Sequence, residues 1–309
     1  METFLLLLLD FVHIIPHTFE VFLKNGKLMA FISLLIISFH SILNLCNVFS
    51  IKPLISDLYL KQSLMPLTTP GTPEFFNLVL NLYKDVKLFL GVELIFILIS
   101  SAASSFFAIA TTYTAAATHS GKKLSIKALT SITVRSWKRP LVTYFYITLL
   151  TFGYCFLCSI ILLLLVLGVI TSKALAITLA VLFLIFYAYI AVVWDLSFVV
   201  SVFEEKSGIE ALGKAANIVK GMQLQGFVLN LGIMVLSLVL SLSWKLMAKQ
   251  TAEMQVIVAQ NSIYLVLNMF EYMALTDMYY QCKRNHGEVV ELKGTVEYNE
   301  VSSSPLIAV

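Results

Sequence analysis

Apolar residues run along this chain in blocks too long for the core of a water-soluble domain. Stretches at 28–50, 88–116, 141–169, 173–202, 224–247 and 256–281 are each long enough to cross about 30 Å of hydrocarbon as a helix. The pattern predicts six transmembrane helices. Ahead of them, residues 1–27 mix Leu, Phe, Val and Ile with Glu2, Asp10, His13, His17, Glu20, Lys24 and Lys27, and Pro16 interrupts the middle. That combination predicts a kinked amphipathic helix lying in the interface, not a span. Residues 51–87 carry Pro53, Pro66, Pro70, Gly71 and Pro73 in a Thr-rich stretch, which predicts an exposed loop with short helical pieces. The third and fourth blocks are separated only around Gly168 to Lys173, so a tight hairpin is required there. Residues 282–309 read as a flexible cytosolic tail.

Two of the connections resemble each other. Ile126, Ala128 and Leu129 in SIKALTSITVRSWK match Ile209, Ala211 and Leu212 in GIEALGKAANIVKG, and Lys138 matches Lys220 after a one-residue slip. The same offset carries spans two and three onto spans four and five. An internal duplication of span, amphipathic helix and span follows, with units of about 88–169 and 171–252 running in the same direction through the membrane. Ile126, Leu129 and Ile132 in one loop, and Ile209, Leu212 and Ala216 in the other, recur at helical spacing with bases between them. Both loops should therefore lie on the cytosolic leaflet with the apolar face down. Lys122, Lys123, Lys127, Arg135, Lys138 and Arg139 would then sit close to anionic lipid head groups.

Composition narrows the class of protein. With 59% hydrophobic and 13% charged residues, a soluble or disordered chain is excluded, and a formal charge of +3 is too small for nucleic-acid binding as a main function. The distribution of bases is more informative than their sum. In a six-span arrangement 14 Lys and Arg fall on one side and 7 on the other, which predicts that both termini are cytosolic. The Leu run at the start has no basic flank and no small-residue cleavage site, so no cleaved signal peptide is expected. No Asn-x-Ser/Thr sequon is present, and these two features favour an internal membrane such as the endoplasmic reticulum over the plasma membrane.

The segment Val199 to Gly221, VVSVFEEKSGIEALGKAANIVKG, has a span ending in Val-Phe-Glu, a Gly-Ile-x-Ala-Leu start and a Val-Lys-Gly close. It resembles the multi-pass membrane domain that accompanies some bacterial glycerophosphodiester phosphodiesterases. Ala215 stands where that pattern tends to have Ser. The whole chain resembles a plant family of six-span membrane proteins of unassigned function. The phosphodiesterase chemistry of the bacterial proteins belongs to a separate soluble barrel that this chain cannot form, so the resemblance implies a fold and no catalytic residue.

Ionisable groups inside spans are costly unless paired or hydrated, which makes them the candidate sites. There are five: His40, Glu93, Asp195, Glu271 and Asp277. Asp195, next to Trp194, and Asp277 fall near cytosolic ends and read as interfacial anchors. Glu93 lies about two turns inside span two, where a base at the same depth, for instance Lys245, would pair with it. The alternative for Glu93 is a protonatable site in a transport path. Span two also carries small-residue pairs, Ser101 with Ser105 and Ser104 with Ala108, that permit close helix approach. Span six is the most polar. Asn261, Tyr264, Asn268 and Glu271, spaced by three, four and three, share one helix face that must turn inward, either as packing glue or as the wall of a polar cavity.

Enzyme signatures are thin. His13 and His17 are disrupted by Pro16, and His40, His119 and His286 have no carboxylate or Cys at ligand spacing. Cys155 and Cys158 form a CxxC pair within a span without basic neighbours, and the glycines assemble no phosphate loop. No cofactor is implied, and disulfides are not expected. The sequence therefore predicts an all-α polytopic membrane protein acting without enzymatic chemistry through membrane organisation, lipid contact or protein partners. The alternative is a small-solute or lipid transporter using Glu93 and the polar face of the last span, and a membrane-embedded lipid enzyme comes third.

Overall fold

The computed structural model describes residues 16, 18–121, 124–168, 172–247 and 253–288. Among them the elements are α1 (Gly26–Leu64), a 3-10 turn (Met65–Leu67), α2 (Pro73–His119), α3 (Ile126–Ser136), α4 (Lys138–Val166), α5 (Lys173–Phe203), α6 (Ile209–Ile218), α7 (Gln223–Met247) and α8 (Glu253–Asn285). The chain is an all-α polytopic protein, with no strand among the described residues.

Five helices, α1, α2, α4, α5 and α7, are long and apolar enough to cross a membrane. The sixth expected span corresponds to α8, which has the length, 33 residues, but not the apolarity. Its position explains its polarity. It packs against α1, α2, α5 and α7 and so meets protein on most of its surface. At the other extreme, none of the most apolar window of α4 is buried, as suits a helix turned toward lipid on most sides.

The expected loop over 51–87 is a correction. Helix α1 runs unbroken through Pro53 to Leu64, and α2 begins at Pro73, leaving only residues 65–72 as the turn. A proline removes one backbone hydrogen bond, and the long contact of α1 with α2 holds the helix together across that gap. The true turn is marked by Pro66, Pro70 and Gly71, the last at φ 93°, and Thr72 caps α2 by accepting from the Phe75 N–H. Lys61 bridges Asp57 on its own helix and Asp85 on α2, which ties the hairpin beyond the apolar blocks.

Side-chain contacts gather the C-terminal end of α2, the start of α1, the described connection 203–222 and residues 283–288 at one end of the bundle, the base. Asn25 Nδ2 donates to Thr118 Oγ1 at 2.6 Å, Tyr113 Oη donates to the Val202 carbonyl at 3.1 Å, and Lys283 pairs with Glu204 at 2.8 Å. Glu288 also receives Lys214 and Lys283, and those two hydrogen bonds hold its carboxyl down at about 2. The buried core sits at this end too. One cluster joins α5, α6, α7 and α8 around Leu196, Ala215, Leu229 and Leu275, and another joins α1, α2, α3, α5 and α8 around Met29, Ile109, Leu129 and Met273.

The two amphipathic helices open on the matched residues Ile126 and Ile209. Their apolar faces do not simply lie on lipid. Leu129 of α3, and Ala211, Ala215 and Ile218 of α6, are buried against the protein's own spans, while Ile126 and Ile209 stay exposed. Lys127, Arg135, Lys138 and Arg139 are exposed at the base, and Lys122 and Lys123 lie outside the described residues. Residues 18–24 are helical, and they too pack inward: Thr18 and Val21 are buried, and Phe22 stacks on Phe270 of α8 at 5.4 Å. His13 and His17, and the tail beyond 288, lie outside the described residues.

Candidate functional site

The polar face of α8 borders a cavity. Asn261, Tyr264 and Asn268 line a space of about 210 Å³ together with His40 of α1, Ser100, Ser101 and Ser104 of α2 and Tyr144 of α4. His40 follows Ile32 and Ile36 at spacings of four, so α1 presents all three on one buried face. Its Nε2 lies 3.3 Å from Ser104 Oγ. The small residues of α2 let the two helices approach, and the hydroxyls they carry supply the polar wall. Asn261, one of the lining residues, has a buried Nδ2 with no hydrogen-bond partner. Tyr264, 54% exposed, stands at its mouth.

Glu93 belongs to a neighbouring space of about 230 Å³, also lined by Asn44 and Asn47. Ser100 and Ser101 border both spaces. Asn47 Nδ2 donates to the Glu93 carboxylate at 3.3 Å. This amide, not a base, is the partner the structure gives Glu93, and the expected pairing with Lys245 falls on a side chain outside the described ones.

Asn261, Tyr264, Asn268 and Glu271 share one face of α8, but Glu271 is not among the residues that line the cavity. At about 100° per residue, Tyr264 and Asn268 fall about 60° and 20° to one side of Asn261, and Glu271 falls about 80° to that side. The cavity wall continues to Tyr272 and leaves out Glu271. Glu271 lies within electrostatic range of Asp195. Asp195, expected as an interfacial anchor, sits two turns inside α5 and accepts a hydrogen bond from Asn230 Nδ2 of α7 at 3.3 Å. Tyr144 and Tyr272 line the cavity and also lie within range of Asp195, so the two polar regions adjoin through a tyrosine wall. Asp277, the other expected anchor, is paired with His119 at 3.4 Å at the base. Reading residues singly could not supply this pair, because the two lie on α2 and α8.

Asn47, Asn230 and Tyr272 are site residues that the sequence reading missed. The available signal was an Asn inside an otherwise apolar block, the same signal that drew attention to Asn261 and Asn268. All four cysteines are free, Cys155 and Cys158 included.

These features define a polytopic helical membrane protein with a partly open polar space between its helices. Residues 1–302 match the family described as a domain of unknown function, DUF8558, and the chain belongs to that family. No curated protein and no solved structure matches it.

Proposed function

We propose that this protein is a non-enzymatic membrane protein that admits a small uncharged polar molecule, or the polar part of a lipid, to the cavity between α1, α2, α4 and α8. The observation that carries this reading is the unpartnered Asn261 amide in a space also walled by His40, Ser104 and Asn268. Polar groups at bilayer depth cost a few kcal/mol each when unsatisfied, and simple packing glue satisfies its own groups. The lining residues include no Asp, Glu, Lys or Arg, which favours a neutral solute. The Glu93 space, reached past Ser100 and Ser101, supplies a route from the hairpin end. The resemblance of Val199–Gly221 to a membrane domain found beside glycerophosphodiester phosphodiesterases fits a lipid-related ligand. Those residues build the α5–α6 elbow and do not touch the cavity.

The test is uptake by proteoliposomes of a panel of small polyols, amides and amino acids. Asn268→Leu and Ser104→Leu, which fill the space, should cut the uptake of at least one compound about tenfold. Equal uptake by empty liposomes for every compound, with no access of an aqueous thiol reagent to a cysteine placed at 268, would remove the reading.

We further propose that the base faces the cytosol of an internal membrane, the endoplasmic reticulum. The exposed Lys127, Arg135, Lys138 and Arg139 then meet acidic head groups, and both termini are cytosolic. Epitope tags at either end should react after selective plasma-membrane permeabilisation. Protection of one tag alone would require an odd number of spans.

A further inference from the structure

We infer that the Glu93 chamber, at the hairpin end of α1 and α2, is a binding site for a primary alkylammonium ion whose charged nitrogen pairs with the Glu93 carboxylate. This site is separate from the deeper neutral cavity and stands whether or not that cavity takes a solute.

The chamber brings the necessary groups together. Its space of about 230 Å³ is lined by the Glu93 carboxyl, the amides of Asn44 and Asn47 and the hydroxyls of Ser100 and Ser101. Among these described lining residues Glu93 alone carries a charge. Its hydrogen-bond partner is the neutral Asn47 amide at 3.3 Å, and among the described residues no base pairs with it. A carboxylate at the edge of the hydrocarbon that its own chain leaves without a counter-charge marks a place for a cation. Depth supplies the access. Glu93 stands 26 residues up α2 from His119 at the base, about 39 Å of helix, which rises about 30 Å even at a tilt of about 40°. That matches the thickness of the hydrocarbon, so the chamber opens at the membrane face opposite the base, where a cation enters from water. The exposed Lys52, Lys84 and Lys87 lie farther along the hairpin.

The ligand class follows from the donors and acceptors. The carboxylate, the asparagine carbonyl oxygens and the serine hydroxyls accept hydrogen bonds from N–H groups, and a primary ammonium offers three on one positive charge. The remaining walls, Leu43, Phe96 and Ile97, are apolar and suit an alkyl chain. Ca²⁺ or Mg²⁺ gathers about six or more oxygen ligands, and the apolar half of this chamber has none to give. The volume holds roughly seven groups of water size, enough for a short alkylamine.

The test is a titration of the full-length protein in nanodiscs of neutral lipid with butylammonium chloride, read by saturation-transfer NMR of the ligand after subtraction of empty nanodiscs. It reads binding and not uptake, so its outcome is independent of the uptake assay. Saturable binding is expected. Butan-1-ol, which lacks the charge, and tetramethylammonium, which lacks the N–H groups, should each bind about tenfold more weakly or worse. These comparisons use the unaltered chain and hold even where a variant folds poorly. Glu93→Gln, which keeps the shape and can still accept from Asn47, should weaken butylammonium about tenfold or more, while Glu74→Gln at the exposed start of the same helix should leave its affinity unchanged. The inference is overturned by the absence of saturable binding, by butan-1-ol or tetramethylammonium binding as tightly as butylammonium, or by full affinity in Glu93→Gln. Displacement of butylammonium by an equal concentration of sodium chloride would overturn it in favour of an inorganic-cation site.

Discussion

Gly226→Ala is expected to lower the melting temperature of the protein sharply. A β-carbon at 226 would stand 2.5 Å from Val192 Cγ1 of α5 and 2.9 Å from Met278 Cε of α8. The methionine methyl can swing aside, but Val192 is β-branched and stiff at χ1, so α5 and α7 must separate. Overpacking of this kind costs about 1–3 kcal/mol, and Leu at the same site costs more. The crossing lies one turn from Asn230, so the change also loosens the Asp195–Asn230 contact. Thermal unfolding of the full chain followed by tryptophan fluorescence is the measurement, and Val192→Ala in the same chain should restore most of the loss. A melting temperature unchanged by Gly226→Ala would mean that the two helices do not approach here.

Gly208→Ala should be comparably damaging for a different reason. Gly208 has φ 55° and ψ −126°, a conformation essentially reserved for glycine, and its N–H donates to Thr143 Oγ1 at 2.9 Å. A side chain there costs about 1–3 kcal/mol in backbone strain alone. Its β-carbon would also meet the Tyr146 ring at 2.8 Å. Gly213, in the middle of α6, has nothing within 4 Å of its would-be β-carbon and supplies the control. Gly213→Ala should be neutral or stabilising by about 0.5–1 kcal/mol, because alanine suits a helix interior better. Equal effects at the two positions would contradict the elbow geometry.

Both glycines bear on what the sequence makes legible. Gly208 opens the Gly-Ile-x-Ala-Leu stretch, and the structure gives a glycine at that position a steric cause. Helix positions follow from block length, and the shared face of Asn261, Tyr264 and Asn268 follows from their spacing, because both depend on one helix at a time. That the cavity takes in Tyr272 and leaves out Glu271 depends on the rotation of neighbouring helices about their axes, which no single periodicity fixes. Pro53 misled for a related reason: proline breaks a helix in isolation, while contact with a neighbour of 47 residues keeps this one continuous. Glu93 shows the same limit, since its partner Asn47 became visible only when α1 and α2 were set side by side.

The placement of α8 has a bearing on how the chain is made. It is less apolar than the five helices that qualify as spans by length and composition, and it carries Asn261, Asn268 and Glu271 along its middle. Among the described helices it is also the last to leave the ribosome. By then α1, α2, α5 and α7 are in the bilayer, and the groove between them offers Asp195, Asn230 and the hydroxyls of α2 in place of acyl chains. The final helix thus enters protein and not lipid, and a nascent chain halted after α7 is expected to wait in the membrane with that groove uncovered. Retention of such a truncated chain by membrane chaperones, relieved when α8 is supplied as a separate segment, is the signature of assembly in this order.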